Sequence, residues 1–165
     1  MSFFSKKEPK IKKLSIVCFS GEYDRALVAF NLATSAATIG YEVHMFFTFW
    51  GLNIIKKEKG RRMIGSSPVQ KITHFFMGGS KNLPLSRFNF FGFGKHVFRR
   101  RLKKKNVASI SDLLKAALAL KVQLYAFNMP VSIFGTKDSD FLNEVKAIST
   151  EEFLTITESG QVLFI

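Results

Sequence analysis

The stretch Leu14-Ser15-Ile16-Val17-Cys18-Phe19-Ser20-Gly21, continued by a helical segment from about Glu22 to Ile39 and by Val43-His44-Met45-Phe46-Phe47-Thr48-Phe49, decides the fold. Its first six residues are mostly apolar and lack helical periodicity, the pattern of a strand buried on both faces in a parallel sheet. Ser20-Gly21 ends that strand. Glu22 and Asp24 then place carboxylates where a helix N-terminus favours them, and Gly40 supplies a stop after Ile39. The intervening helix has little polar face, so it is expected to be covered on more than one side, in part by another subunit. Val43 to Phe49, aromatic and β-branched, reads as the second strand and completes a βαβ unit.

Working outward, 165 residues with 47% hydrophobic content suit one α/β domain with a substantial core. The reading is a single domain over 1–165, with a basic lead-in over 1–13 and a basic aromatic insertion over 56–108. The N-terminus lacks a hydrophobic signal region and the longest apolar run, Val43 to Ile55, is too short to span a bilayer. A cytoplasmic location is therefore expected, and the Val-Leu-Phe-Ile ending suggests no regulatory tail. One cysteine forms no internal disulfide, and with three scattered histidines it makes no metal cluster. No cofactor is expected. An acid–base enzyme is disfavoured, since His44, His74 and His96 have no evident partner in sequence.

From Lys59 to Ser111 there are thirteen basic residues and no Asp or Glu, which leaves twelve basic against twelve acidic residues elsewhere. The net charge of +13 thus belongs to one segment. Phenylalanines and glycines interleave with the charges, and Gly94 to Lys105 reads as a short basic helix. The docking patch assigned here is Phe90, Phe91, Phe93, Arg99, Arg100, Arg101, Lys103, Lys104 and Lys105. Such a segment suits an anionic membrane surface, nucleic acid or an acidic protein, or it packs into the core or a subunit interface. Membrane or protein docking is preferred, because no RNA-binding signature accompanies the patch.

The α/β pattern resumes at Ser109. Ser111 is the expected cap of a helix from Asp112 to Leu120, followed by a third strand at Val122 to Phe127. Asn128 is read as the cap of a short helix through Val131 to Phe134, stopped by Gly135. Glu144 to Ile148 is a weak strand, Thr150 to Glu158 a helix capped by Thr150, and Val162 to Ile165 the last strand. Trp50, at the carboxyl edge of the sheet where α/β folds place ligands, is a candidate pocket wall or else a core or interface residue.

Several strings together resemble one family. They are Leu14 to Gly21 with Asp24 and Ala26; Met45-Phe46-Phe47-Thr48-Phe49-Trp50-Gly51-Leu52-Asn53; Leu83-Pro84-Leu85-Ser86 with Asn89, Gly92 and Gly94; Lys105-Asn106-Val107-Ala108-Ser109; and Asn128-Met129 with Gly135. They are similar to the DsrE/DsrF-like family, in its larger branch often labelled peroxiredoxin-like. The resemblance implies a three-layer α/β/α domain with a mainly parallel sheet of about five strands. It also implies assembly as homo-trimers or larger, and work in sulfur relay. There a cysteine takes sulfane sulfur as a persulfide and passes it to a TusA-like carrier or a related DsrE-family subunit.

The implied site is lined by Ser20, Gly21, Trp50, Asn53, Phe127, Asn128 and Met129. In the family the sulfur-accepting cysteine follows the Tyr125-Ala126 position, and here that place is Phe127. Only Cys18 carries a thiol. It is the candidate catalytic residue, or it is a small core hydrophobe whose pKa is raised. Two readings follow: an impaired or non-catalytic sulfur-relay protein, or a non-enzymatic docking protein at the inner face of the membrane or on an acidic partner.

Overall fold

The computed structural model describes residues 12–57, 83–84, 100–101, 104–128 and 138–165. Among the described residues the apolar runs form five strands: β1 (Lys13–Cys18), β2 (Glu42–Phe47), β3 (Gln123–Phe127), β4 (Val145–Ile148) and β5 (Gln161–Phe164). Every pairing is parallel, in the order β4-β3-β2-β1-β5. Parallel neighbours need crossovers, and α1 (Tyr23–Thr38) lies in the one from β1 to β2, α2 (Ile110–Ala119) in the one from β2 to β3, and α3 (Thr150–Ile156) in the one from β4 to β5. The chain steps from β1 outward to β4, then returns across the sheet to the far side of β1. Crossovers of one hand therefore leave α1 and α2 on one face and α3 on the other.

The α1/α2 face holds the main core. Leu14, Ile16 and Cys18 of β1, Val43, Met45 and Phe47 of β2, and Leu124 and Ala126 of β3 pack with Phe30 and Ala33 of α1 and Leu113 and Ala117 of α2. On the opposite face Phe46, Tyr125 and Ile148 meet Phe153 of α3, whose ring stacks on Phe46 at 4.4 Å and 12°. α1 buries its alanine-rich side, while Val28, Leu32 and Ile39 stay exposed on the outer side. The described residues thus cover α1 on one side. Gly40, at φ 85°, makes the left-handed stop expected of it.

Four local readings are corrected. β2 ends at Phe47, and Phe49–Ile54 forms a 3₁₀ helix, because Phe49 adopts φ 48° and turns the chain out of the extended conformation. The cap of α2 is Ser109 rather than Ser111: its hydroxyl accepts from the Asp112 N–H while the Asp112 carboxylate accepts from the Ser109 N–H. The cap of α3 is Ser149 rather than Thr150, accepting from the Glu152 N–H at 3.2 Å. Glu22 occupies the N-cap of α1 but makes no side-chain cap bond, leaving Asp24 as the first-turn acid. The expected helix at Val131 to Phe134 lies outside the described residues.

Candidate functional site

Parallel strands deliver all their carboxyl ends to one edge, and here β1 and β2 are locked together there by backbone. The Thr48 N–H donates to the Cys18 carbonyl at 3.0 Å and the Gly51 N–H to the Phe19 carbonyl at 2.9 Å. The approach is close in both directions. A Cβ on Gly21 would overlap the Trp50 carbonyl oxygen, and one on Gly51 would overlap that of Cys18. Each loop therefore needs its glycine opposite the other loop's main chain. Ser20 donates its hydroxyl to Glu22 Oε2 at 2.8 Å, and Arg25 Nε meets the same oxygen at 2.9 Å. These contacts order the entry to α1.

Register places Cys18 and Phe127 on opposite faces of the sheet. Cys18 pairs with Phe47, Phe47 pairs with Ala126, and Phe127 pairs with Ile148. Since side chains alternate along a strand, Cys18 shares the α1/α2 face with Ala126, and Phe127 points to the α3 face with Phe46. Cys18 is 2% exposed, and burial pushes its thiol up from 9.0 to about 12. The thiolate, which is the nucleophile, is therefore suppressed. Phe127 is half-buried at the end of β3, its ring edge-on to Phe46 at 5.9 Å.

Of the other expected lining residues, Trp50 is 45% exposed at the carboxyl edge. Asn53 is buried, its Oδ1 without a hydrogen-bond partner among the described residues. The Asn128 N–H donates to the Ile148 carbonyl at 3.0 Å, which carries the β3–β4 ladder one residue past the strand. Met129 lies outside the described residues, as do the docking-patch positions Phe90, Phe91, Phe93, Arg99 and Lys103. Arg100, Arg101 and Lys104 are helical and exposed, and Lys105 is exposed in the turn that follows.

Two groupings escaped the sequence reading. Phe19, Phe49, Trp50 and Phe164 are all exposed near this edge, with Phe19 lying 5.3 Å from Phe49 and 5.9 Å from Phe164, stacked on the latter. Phe49 is held at a left-handed φ, which a bulky residue adopts only when the surroundings enforce it. The other grouping corrects the view of His44 as partnerless. Its Nε2 lies 3.1 Å from Glu42 Oε1, its Nδ1 3.5 Å from the Tyr125 hydroxyl, and its ring stacks on Tyr125. The i, i+2 spacing of Glu42 and His44 on one strand was the available signal.

The family model for the DsrE/DsrF/DrsH-like family matches residues 10–165. The chain belongs to this family. It is 32% identical over 155 residues to the uncharacterized protein YrkE of Bacillus subtilis, covering 93% of this chain and 97% of that protein. It is 31% identical over 159 residues to the sulfur carrier protein DsrE2 of Allochromatium vinosum, covering 93% and 98% of the two chains. Among solved structures, the YchN protein of E. coli superposes with a TM-score of 0.57 at 12% identity, over 94% of this chain and 100% of that one. That likeness establishes the α/β fold.

Proposed function

We propose that this protein works in intracellular sulfur relay as a member that holds no persulfide of its own. The identity with the sulfur carrier protein DsrE2, running almost end to end through both chains, carries the relay part. The geometry at the carboxyl edge supports the silent part. Phe127 stands where the resemblance puts the acceptor cysteine and has no lone pair to hold sulfur. Cys18 faces the core on the other side of the sheet, with its thiol pushed up to about 12. The protein's role in this reading is to form a homo-trimer or larger assembly that supports a separate partner carrying the cysteine, either a TusA-like carrier or a related DsrE-family subunit.

The test is mass spectrometry after exposure to polysulfide, thiosulfate or tetrathionate. With thiosulfate the step is attack of a thiolate on the outer sulfur, forming a new S–S bond and releasing sulfite with the electron pair of the broken one. Wild type should show little stable loading. Phe127→Cys should load one sulfur. Rapid stoichiometric loading of wild type on Cys18, abolished by Cys18→Ser, defeats the silent reading; a folded but unreactive Phe127→Cys defeats the placement of the acceptor position.

The concentration of all excess charge between Lys59 and Ser111 favours a second reading, in which the chain docks peripherally on an anionic membrane face or an acidic protein. Arg100, Arg101, Lys104 and Lys105, all exposed, are the described part of that surface. Among the described residues no helix is long and apolar enough to cross a membrane. Sedimentation with anionic vesicles at low salt, lost at high salt and in a variant changing Arg99, Arg100, Arg101, Lys103, Lys104 and Lys105 to glutamine, is the expected result. Equal recovery with neutral vesicles removes the membrane form of the reading.

A further inference from the structure

The two edges of the sheet are finished differently. β4, at one edge, carries Lys146 in its middle and follows Glu144, the kind of charge that discourages another strand from pairing. β5, at the other edge among the described residues, is Gln161-Val162-Leu163-Phe164 and runs on into Ile165, without a charge or a proline. All four strand residues are exposed, with Val162 at 52%, Leu163 at 39% and Phe164 at 71%.

The backbone says which groups of β5 are still available. The Ile165 N–H donates to the Val17 carbonyl at 2.9 Å, and the Ile165 carbonyl accepts from the Phe19 N–H at 3.0 Å, so both groups of Ile165 face β1. Backbone direction alternates along a strand. Gln161 and Leu163 therefore also face β1, whereas Val162 and Phe164 direct N–H and carbonyl outward.

We infer that β5 pairs antiparallel with β5 of a second copy across a two-fold axis through Leu163, joining two sheets into one. The strand is complementary to itself in that register. Val162 of one copy lies opposite Phe164 of the other, and both are outward-facing residues, so each pair exchanges N–H and carbonyl as a hydrogen-bonded antiparallel pair. The same holds for the symmetry-related pair, with Leu163 opposite Leu163 between them. Isologous pairing of this kind requires one patch to fit itself. The side chains agree with the backbone: Val162 and Phe164 share a face, where Phe164 already stacks on Phe19, so the cross-strand pair extends an aromatic cluster, while Leu163 meets its counterpart on the α1 side. Charge also permits it. The residues from Gly160 to Ile165 carry no charged side chain in a chain of net charge +13, so the contact sets no cations against each other.

A single strand edge with its flanking apolar groups is smaller than a standard interface, so the association should be concentration-dependent. The test is sedimentation of the full chain across a wide concentration range, comparing wild type with Val162→Pro. Proline at 162 removes only an outward N–H, leaving every bond to β1 in place, which an edge strand tolerates. Wild type should double in mass with concentration, and Val162→Pro should keep the fold by circular dichroism yet show half the mass. Identical masses at every concentration overturn the inference. Hydrogen exchange on wild type decides independently of how the variant folds. Protection of the Val162 and Phe164 amides that is lost on dilution supports the pairing. Fast exchange throughout, or protection indifferent to dilution as a strand from the same chain would give, defeats it.

Discussion

Cys18 and Phe127 end β1 and β3 at the same edge of one sheet, yet they live on different sides of it. On the Cys18 side two helices and three strands close a continuous core, and a thiol placed there is a small hydrophobe. On the Phe127 side the described core is a smaller cluster around Phe46, Tyr125, Ile148 and Phe153, and the end of β3 is only half covered. Reactivity therefore follows the face and not the distance along the chain or the edge. A thiol at the end of β1 and one at the end of β3 would therefore meet different surroundings, because the sheet itself stands between them.

The sharpest test of this contrast is thiol chemistry, with the largest expected effect. With its thiol at about 12 instead of 9.0, native Cys18 should hold roughly a thousandfold less thiolate near pH 8 than the same residue in unfolded protein. Steric cover should slow it further. An aromatic disulfide reagent should therefore label wild type only after urea is added, while Phe127→Cys gains one fast thiol. Native Cys18 reacting within tenfold of the unfolded rate would erase the distinction between the faces.

The next effect breaks the edge that both faces share. Gly51→Ala sets a Cβ against the Cys18 carbonyl, and because backbone meets backbone no side-chain rotation relieves it. A loss of about 3 kcal/mol in urea unfolding is expected, at the upper end for overpacking. A change below about 1 kcal/mol would mean that the two loops separate easily and do not hold the strand ends in register.

Phe127→Cys itself should cost less. A fully buried phenylalanine truncated to alanine loses about 3 to 5 kcal/mol, but Phe127 is half-buried and its main aromatic contact is the edge-on one with Phe46, so about 2 kcal/mol is expected. The variant should fold, which is what makes it usable as the sulfur-loading control. Aggregation on expression would place Phe127 deeper in the packing than its exposure indicates.

Much of this arrangement was legible in the residues. The run Leu14 to Cys18, the stop at Gly40 and the aromatic second strand give the βαβ unit directly. The residue pattern also marks strands at Val122 to Phe127, Glu144 to Ile148 and Val162 to Ile165, and the DsrE/DsrF resemblance adds that they join one mainly parallel sheet. Parity was not legible. Whether Cys18 and Phe127 share a face depends on which residue of β2 each neighbours, and only the register through Phe47 settles it. The end of β2 was hidden for a related reason: Thr48-Phe49-Trp50 has strand-like composition, and the left-handed Phe49 that ends the strand leaves no mark in residue type. The Ser109 cap, by contrast, is written in the Ser-x-x-Asp spacing, a stronger signal than the nearness of Ser111 to the helix.

The smallest predicted effect concerns the polar part of the Phe127 face. Burial is the largest influence on His44 and lowers its pKa below the ordinary 6.5; Glu42 opposes this through charge and hydrogen bond, and Lys13 adds a small further lowering. The neighbouring Tyr125 hydroxyl is itself raised by burial, and so stays protonated as the donor to Nδ1. The folded chain therefore gives up the His44 proton at a lower pH than the unfolded chain does. Stability from this group is complete above the ordinary histidine value and is lost as pH falls through it toward the lower folded value. Asp112 and Glu151, whose pKa values are also lowered, add acid-side losses of their own, so the measurement must be a difference. Urea midpoints at about pH 7.5 and about pH 5 should fall less in His44→Gln than in wild type, and more in Glu42→Gln, where the carboxylate that raises the His44 pKa is gone. If wild type instead holds its midpoint better than His44→Gln on acidification, Glu42 outweighs burial, His44 is the protonated member of an ion pair, and this part of the sheet face is wetter than its 2% exposure implies.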